Sequence, residues 1–146
     1  MKAVADRKDY KRGYLKHYTA YKMLVNGDST VSSRRLLLVY SVECGLKYKL
    51  LEKWRLLSIA NVIQNAQDKR GKVLGSHDLR ILLKELGQEG KFHLSPIKTV
   101  HREIIAIKDF HQICRYGINV KNESLNKMQQ NENELNKIAE WLKEVI

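Results

Sequence analysis

The sequence predicts an all-α bundle of four to five helices with antiparallel neighbours, and three observations predict it. Apolar side chains recur at spacings of three and four in one segment after another. No stretch sustains the alternation of a strand, and one proline with eight glycines is too little turn chemistry for a many-stranded architecture. A chain of 146 residues forms a single domain, 1–146, with enough length to bury one core.

The first helix is expected from Asp6 to Val25. Tyr10, Tyr14, Tyr18 and Tyr21 share one of its faces. They read as an amphipathic face that buries its rings and wets its hydroxyls. The other use of such rings, beside Lys8, Arg12 and Lys16, is to stack unpaired bases. A turn cluster, Asn26 to Thr30, leads into a long segment from Val31 to Trp54 or beyond, with Leu36, Val39, Leu46, Leu50 and Trp54 as its stripe. The pattern resumes after a bend through Leu56, Ile59 and Ile63. Glu43 falls on the stripe, where an unpaired charge is expensive, and Lys47 one turn later is its natural partner. Gly45 in mid-helix costs about 1 kcal/mol relative to alanine, which implies a close helix contact.

Residues 65–75 read as a polar, basic loop, followed by Ser76 as the N-cap of a short helix. That helix turns Leu79, Leu82, Leu83 and Leu86 inward, holds Asp78 in its first turn and stops at Gly87. Ser95-Pro96 reads as the start of a fourth helix carrying Val100, Ile104, Ile107, His111 and Cys114 on one face. On that face His111 is a hydrogen-bonded core residue. The last helix, about 123–145, has Leu125, Met128, Leu135, Ile138, Leu142 and Val145 as its stripe. Met128, Leu135 and Leu142 also stand at heptad spacing, as ordinary core or as a dimer seam.

The chain carries 27 Lys+Arg against 16 Asp+Glu, a net charge of +11. Residues 1–75 hold 16 of those basic residues and 6 of the acidic ones, so nearly all the excess lies there. Such a surplus fits a polyanionic partner such as nucleic acid, or else a merely solvated basic face. The candidate contacts are Lys8, Lys11, Arg12, Lys16, Arg34 and Arg35. The longest apolar run, 36–40, is far short of a bilayer span, so no membrane partner is expected. The sequence enters charged residues directly after Met1, without the pattern of a secretory leader. Cys44 and Cys114 lack metal-ligand spacing and read as reduced thiols of a cytoplasmic protein. His93 and His101 have no acidic or cysteine partner at ligand spacing. No phosphate-cradling glycine loop or catalytic Ser or Cys motif occurs, so neither metal nor cofactor is expected.

Three local patterns stand in order: Tyr40-Ser-Val-Glu43-Cys-Gly-Leu-Lys47, then Ser76-His77-Asp78-Leu79, then Arg115-Tyr116. In this order and helical context, the chain over about residues 20–117 resembles the HEPN superfamily, helical domains linked to nucleotide and RNA biology. Members commonly show a Glu-x-x-x-Lys helix, a His-Asp-Leu helix start and a downstream Arg-Tyr. The resemblance implies a four- or five-helix bundle and a polar cluster of Glu43, Lys47, His77, Asp78, Arg115 and Tyr116. Many members are metal-independent ribonucleases, often dimeric, in toxin–antitoxin, phage-defence and RNA-processing systems. They carry an Arg and a His separated by four to six residues on a late helix, the His as general base and the Arg facing the attacked phosphate.

That pair is missing here. Arg115 is followed by Tyr-Gly-Ile-Asn-Val-Lys-Asn, and no histidine occurs after His111. Arg12 and His17 have the spacing but stand about 140° apart on their helix. The expectation is therefore an RNA- or nucleotide-binding protein of a bacterial toxin–antitoxin or phage-defence system without the usual ribonuclease site. A second copy or a cognate protein is its further partner. One alternative is a divergent metal-independent ribonuclease with Arg115 as phosphate clamp and His77 as base, kept neutral by its helix N-terminus. The others are a non-catalytic protein-interaction subunit, and a polar cluster that serves only as an ion network fixing helix register.

Overall fold

Asp6 opens the first helix with a reciprocal cap. Its carboxylate accepts from the Asp9 backbone N–H, while the Asp9 carboxylate accepts from that of Asp6. In the computed structural model, which describes residues 5–27, 31–63 and 67–146, this helix is α1 (Arg7–Val25). It packs along α2 (Val31–Lys53), which is also in contact with α5 (Leu79–Glu85), α6 (Phe110–Tyr116) and α7 (Asn122–Val145). A helix covered on so many sides is apolar around much of its circumference. Leu38, Val42 and Leu51, outside the expected stripe, are therefore as deeply buried as Leu46 and Leu50 on it. Among the described residues the all-α class holds, with seven α-helices in place of the expected four to five and one very short hairpin.

The tyrosine face of α1 is core, with Tyr14, Tyr18 and Tyr21 buried and Tyr10 packed at its margin. The hydroxyls are not wet, as the sequence reading had them; each finds an acceptor on α7. Tyr14 donates to the Ala139 carbonyl at 2.6 Å, Tyr18 to Asn136 Oδ1 at 2.7 Å and to Glu140, and Tyr21 to Glu132 Oε2 at 2.8 Å. Gly45 sits where α1, α2 and α7 meet. A Cβ there would lie 2.6 Å from Leu142 Cδ1 and 2.9 Å from Tyr14 Cδ1, the close contact its position implies.

Several boundaries differ from expectation. The chain leaves α2 after Lys53 through a turn in which Arg55 has a positive φ of 56°, and only α3 (Ala60–Ile63) follows. Within the expected 65–75 loop lies α4 (Lys69–Leu74), started by Asp68 accepting from the Arg70 N–H and anchored by buried Leu74. The N-cap of α5 is Asp78, accepting from the Arg80 N–H; Ser76 acts one step earlier, accepting from the Asp78 N–H. Gly87 ends that helix with φ 73°, as its position predicts.

The largest departure is the fourth helix, which does not start at Ser95-Pro96. Instead β1 (Ile97–Lys98) pairs antiparallel with β2 (Ile104–Ile105), in register Ile97–Ile105 and Lys98–Ile104. Thr99 donates to the Glu103 carbonyl at 2.9 Å, and Arg102 turns the chain with φ 64°. Ile97, Thr99, Val100, Ile104 and Ile105 are β-branched, which suits a pleated pair better than a helix. Val100 and Ile104, expected on an inward face, are exposed. A 3₁₀ turn, Ile107–Asp109, then leads into α6, which is only seven residues long.

Along α7, Met128, Leu135, Ile138 and Leu142 are buried, so the heptad-spaced side chains are core and no seam. Leu125 and Val145, at the two ends of the expected stripe, are exposed, and Asn131 and Glu132 are buried in the middle. Both cysteines are free thiols; Cys114 is buried and Cys44 half-buried. Among the described residues no helix is long and apolar enough to cross a membrane.

Candidate functional site

Tyr40, Glu43 and Lys47 follow one another on α2 at spacings of three and four, so they lie on one side of the helix. Glu43 Oε1 stands 2.9 Å from His77 Nδ1, and Glu43 Oε2 stands 3.5 Å from the ammonium of buried Lys47. An ionised carboxylate only accepts, so Nδ1 of His77 carries the proton and donates it to Glu43. The His77 side chain is 59% exposed, at the chain's entry into α5.

From the other side comes α6. Its residues His111 and Arg115 are one turn apart and share a face. The His111 ring lies 5.3 Å from the His77 ring, tilted by 46°. Arg115 Nε donates to the Tyr40 hydroxyl at 3.2 Å, and its guanidinium carbon is 5.9 Å from the Tyr40 ring centre. Burial lowers the pKa of His111; His77 and Arg115 lower it further, against Glu43 and Asp109. Beside Tyr40 stands a third imidazole, His17 of α1, at 6.0 Å between ring centres. Burial first, then Lys16, lowers the pKa of His17 as well.

Four residues of the expected polar cluster are thus brought together: Glu43, Lys47, His77 and Arg115. Asp78 is spent elsewhere, on the α5 cap and on Arg80 at 3.3 Å. Tyr116 is exposed, and its hydroxyl joins that of Tyr40 in favouring the protonated Arg115 guanidinium. His111 is not the hydrogen-bonded core residue expected; it is half-buried against His77. Sequence reasoning missed it and Tyr40 as site members. The available signals were His111-x-x-x-Arg115 at one-turn spacing and Tyr40 one turn before Glu43. Among the described residues no three His, Cys, Asp or Glu side chains form a metal-holding group.

The candidate nucleic-acid contacts divide. Lys8, Lys11, Arg12 and Lys16 are exposed along α1, with Lys11 5.7 Å from the Tyr48 ring centre and Arg12 3.4 Å from Asp9. Arg34 and Arg35 turn inward onto Glu132, at 2.9 and 2.6 Å. Their side chains are 19% and 13% exposed, so they are partners of a buried carboxylate and no open anion surface. Burial alone would raise the Glu132 pKa, but hydrogen bonds from Arg34, Arg35 and Tyr21 hold it below its ordinary value.

Fold and site together define a helical protein with a carboxylate, two imidazoles and a guanidinium gathered on one accessible face. No family model, no curated protein and no solved structure matches the chain.

Proposed function

We propose that this chain is a HEPN-like helical protein that acts on RNA, holding the backbone at His77, His111 and Arg115 and cutting it without a metal ion. The observation that carries this reading is the meeting of the Glu43-bound His77 ring with His111 at 5.3 Å, on the helix face that also presents Arg115. Attack of a ribose 2′-hydroxyl on the neighbouring phosphate needs a proton acceptor, a proton donor and a fixed positive charge. Two imidazoles and a guanidinium are those three groups. His111 and Arg115 stand in the reverse order of the family's late pair and with three residues between them in place of four to six, but one helical turn brings both onto one face. Exposed side chains on an open face suit a polymer; small ligands are held in concave pockets. The bacterial toxin–antitoxin or phage-defence setting, and a second copy or cognate protein as partner, come from the resemblance alone.

The test is incubation of labelled RNA with the protein in EDTA, beside Arg115→Ala and His77→Ala. Cleavage that survives EDTA and falls at least about 100-fold in each variant, with unchanged circular dichroism, supports the reading. Intact RNA across several sequences and structures removes it.

A second reading, RNA or nucleotide binding without cleavage, is favoured by the exposed cations of α1. It predicts an affinity that falls steeply with salt and weakens on reversing Lys8 and Lys16. Affinity indifferent to both would rule it out.

A further inference from the structure

We propose that in strand cleavage at this face His111 accepts the proton of the attacking hydroxyl and His77 donates the proton to the leaving oxygen. This assignment rests on the cleavage reading above and reverses the base role that a place at a helix N-terminus suggested for His77. It follows from what surrounds each ring.

His77 Nδ1 is bound at 2.9 Å to Glu43, which leaves Nε2 of this exposed ring to face a substrate. The other charges near His77 are Lys47, which shares Glu43 from 3.5 Å, and Asp78, whose carboxylate is turned to Arg80 and the start of α5. His111 is half-buried and faces His77, just before α5, and Arg115 along its own helix, with Glu43 and Asp109 as the opposing charges. The two rings lie 5.3 Å apart in unlike settings: His77 is bound to a carboxylate, and His111 shares its helix face with a guanidinium. Burial first, then His77 and Arg115, push His111 toward the neutral form that a base requires. Groups in such unlike surroundings divide the acid and base roles between them.

The step balances without a further reactant. The ribose 2′-oxygen gives its proton to a His111 ring nitrogen and bonds to phosphorus. The bond from phosphorus to the 5′-oxygen breaks, and that oxygen takes the proton of His77 Nε2. The products are a 2′,3′-cyclic phosphate and a free 5′-hydroxyl, while Arg115 faces the phosphoryl oxygens as charge develops on them.

The assignment is tested with two RNA substrates, one natural and one with sulfur in place of the bridging 5′-oxygen. A thiolate leaves without being protonated, so the second substrate bypasses the acid. His77→Ala is expected to lose about 100-fold or more on the natural substrate and to return to within about tenfold of wild type on the sulfur substrate. His111→Ala is expected to lose on both. Wild type should show a bell-shaped dependence of kcat/KM on pH, with His77→Ala removing its alkaline limb and His111→Ala its acidic limb. His77→Gln and His111→Gln repeat the measurement with polar side chains of comparable length, which guards against a loss of folding. Rescue of the His111 variants in place of the His77 variants overturns the assignment and leaves the cleavage reading standing. Equal losses on both substrates also overturn it, and reduce the histidines to binding. Failure of the wild type to cut either substrate overturns the assignment and the cleavage reading together.

Discussion

Replacing Glu132 by alanine withdraws the carboxylate to which Arg34 donates at 2.9 and 3.1 Å, Arg35 at 2.6 Å and the Tyr21 hydroxyl at 2.8 Å. With Glu132 only 3% exposed, this is an interior pair in which two guanidiniums would be left facing apolar surroundings. Removing one partner of a buried pair costs about 3–5 kcal/mol. Arg34 and Arg35 retain some contact with water, so the lower end applies, about 3 kcal/mol. Set against the 5–15 kcal/mol that typically separates folded from unfolded domains, that is a large share, and for a chain of this length it lowers Tm by roughly 10 °C. Urea unfolding followed by circular dichroism should show a lower midpoint with an unchanged slope. Glu132→Gln, which keeps the shape and drops the charge, should fall between. A loss below about 1 kcal/mol, the value of an exposed pair, would refute the reasoning and return Arg34 and Arg35 to the surface. Acid supplies a second readout with a definite sign. The folded-state pKa of Glu132 is below the ordinary 4.5, so its contribution is complete above that value and is lost as pH falls through the lower one. Wild type should therefore lose more stability than Glu132→Gln on going from pH 5 to about pH 3. The same geometry changes what charge reversal at Arg34 or Arg35 measures: the first effect is on folding.

Three further predictions concern the scaffold. Gly45→Ala should destabilise by about 1 kcal/mol in thermal unfolding, since overpacking against Leu142 and Tyr14 outweighs the helix preference of alanine; a stabilised variant would place the three helices further apart. Asp78→Ala should cost about 1 kcal/mol through loss of the α5 cap, and Ser76→Ala less, by the same measurement; the reverse order would restore Ser76 as the cap. Burial pushes the Cys44 thiol up to about 11 and that of Cys114 to about 12, so neither should react with iodoacetamide at pH 7.5 in the folded protein, while both should in urea; rapid labelling of the native chain would count against the packing around them.

The long helices were legible because their cues agree. α1 has a capping carboxylate, a regular tyrosine face and a closing turn, and Glu43 with Lys47 can be paired from spacing alone. The hairpin was hidden because Val100, Ile104 and Ile107 happen to stand at helical intervals, while the competing signal, a density of β-branched residues, was spread over nine positions, 97–105. His111 was hidden for the same reason, since Ile107 and Cys114 make its surroundings look like an apolar stripe. Arg34 and Arg35 show a different limit. Charge counted along a sequence does not say which way a guanidinium turns, and their partner, Glu132, lies between asparagines, Asn131 and Asn133, with no apolar neighbour in sequence to mark it as buried.

The tyrosine hydroxyls of α1 reach acceptors 111 to 125 positions further along the chain. This has a consequence for the order of events during synthesis. By the time Arg115 is made, the groups of the polar face exist, yet the hydroxyls of Tyr14, Tyr18 and Tyr21 and the guanidiniums of Arg34 and Arg35 still lack the acceptors that α7 supplies. Pairings this distant in sequence close the largest loops and are reached slowly. A growing chain therefore holds a complete set of reactive groups without the packing that aligns them until α7 has been made. Pulse-labelled chains stalled before Asn122 should accordingly be digested by protease as readily as unfolded protein, and chains extended past Val145 should resist it.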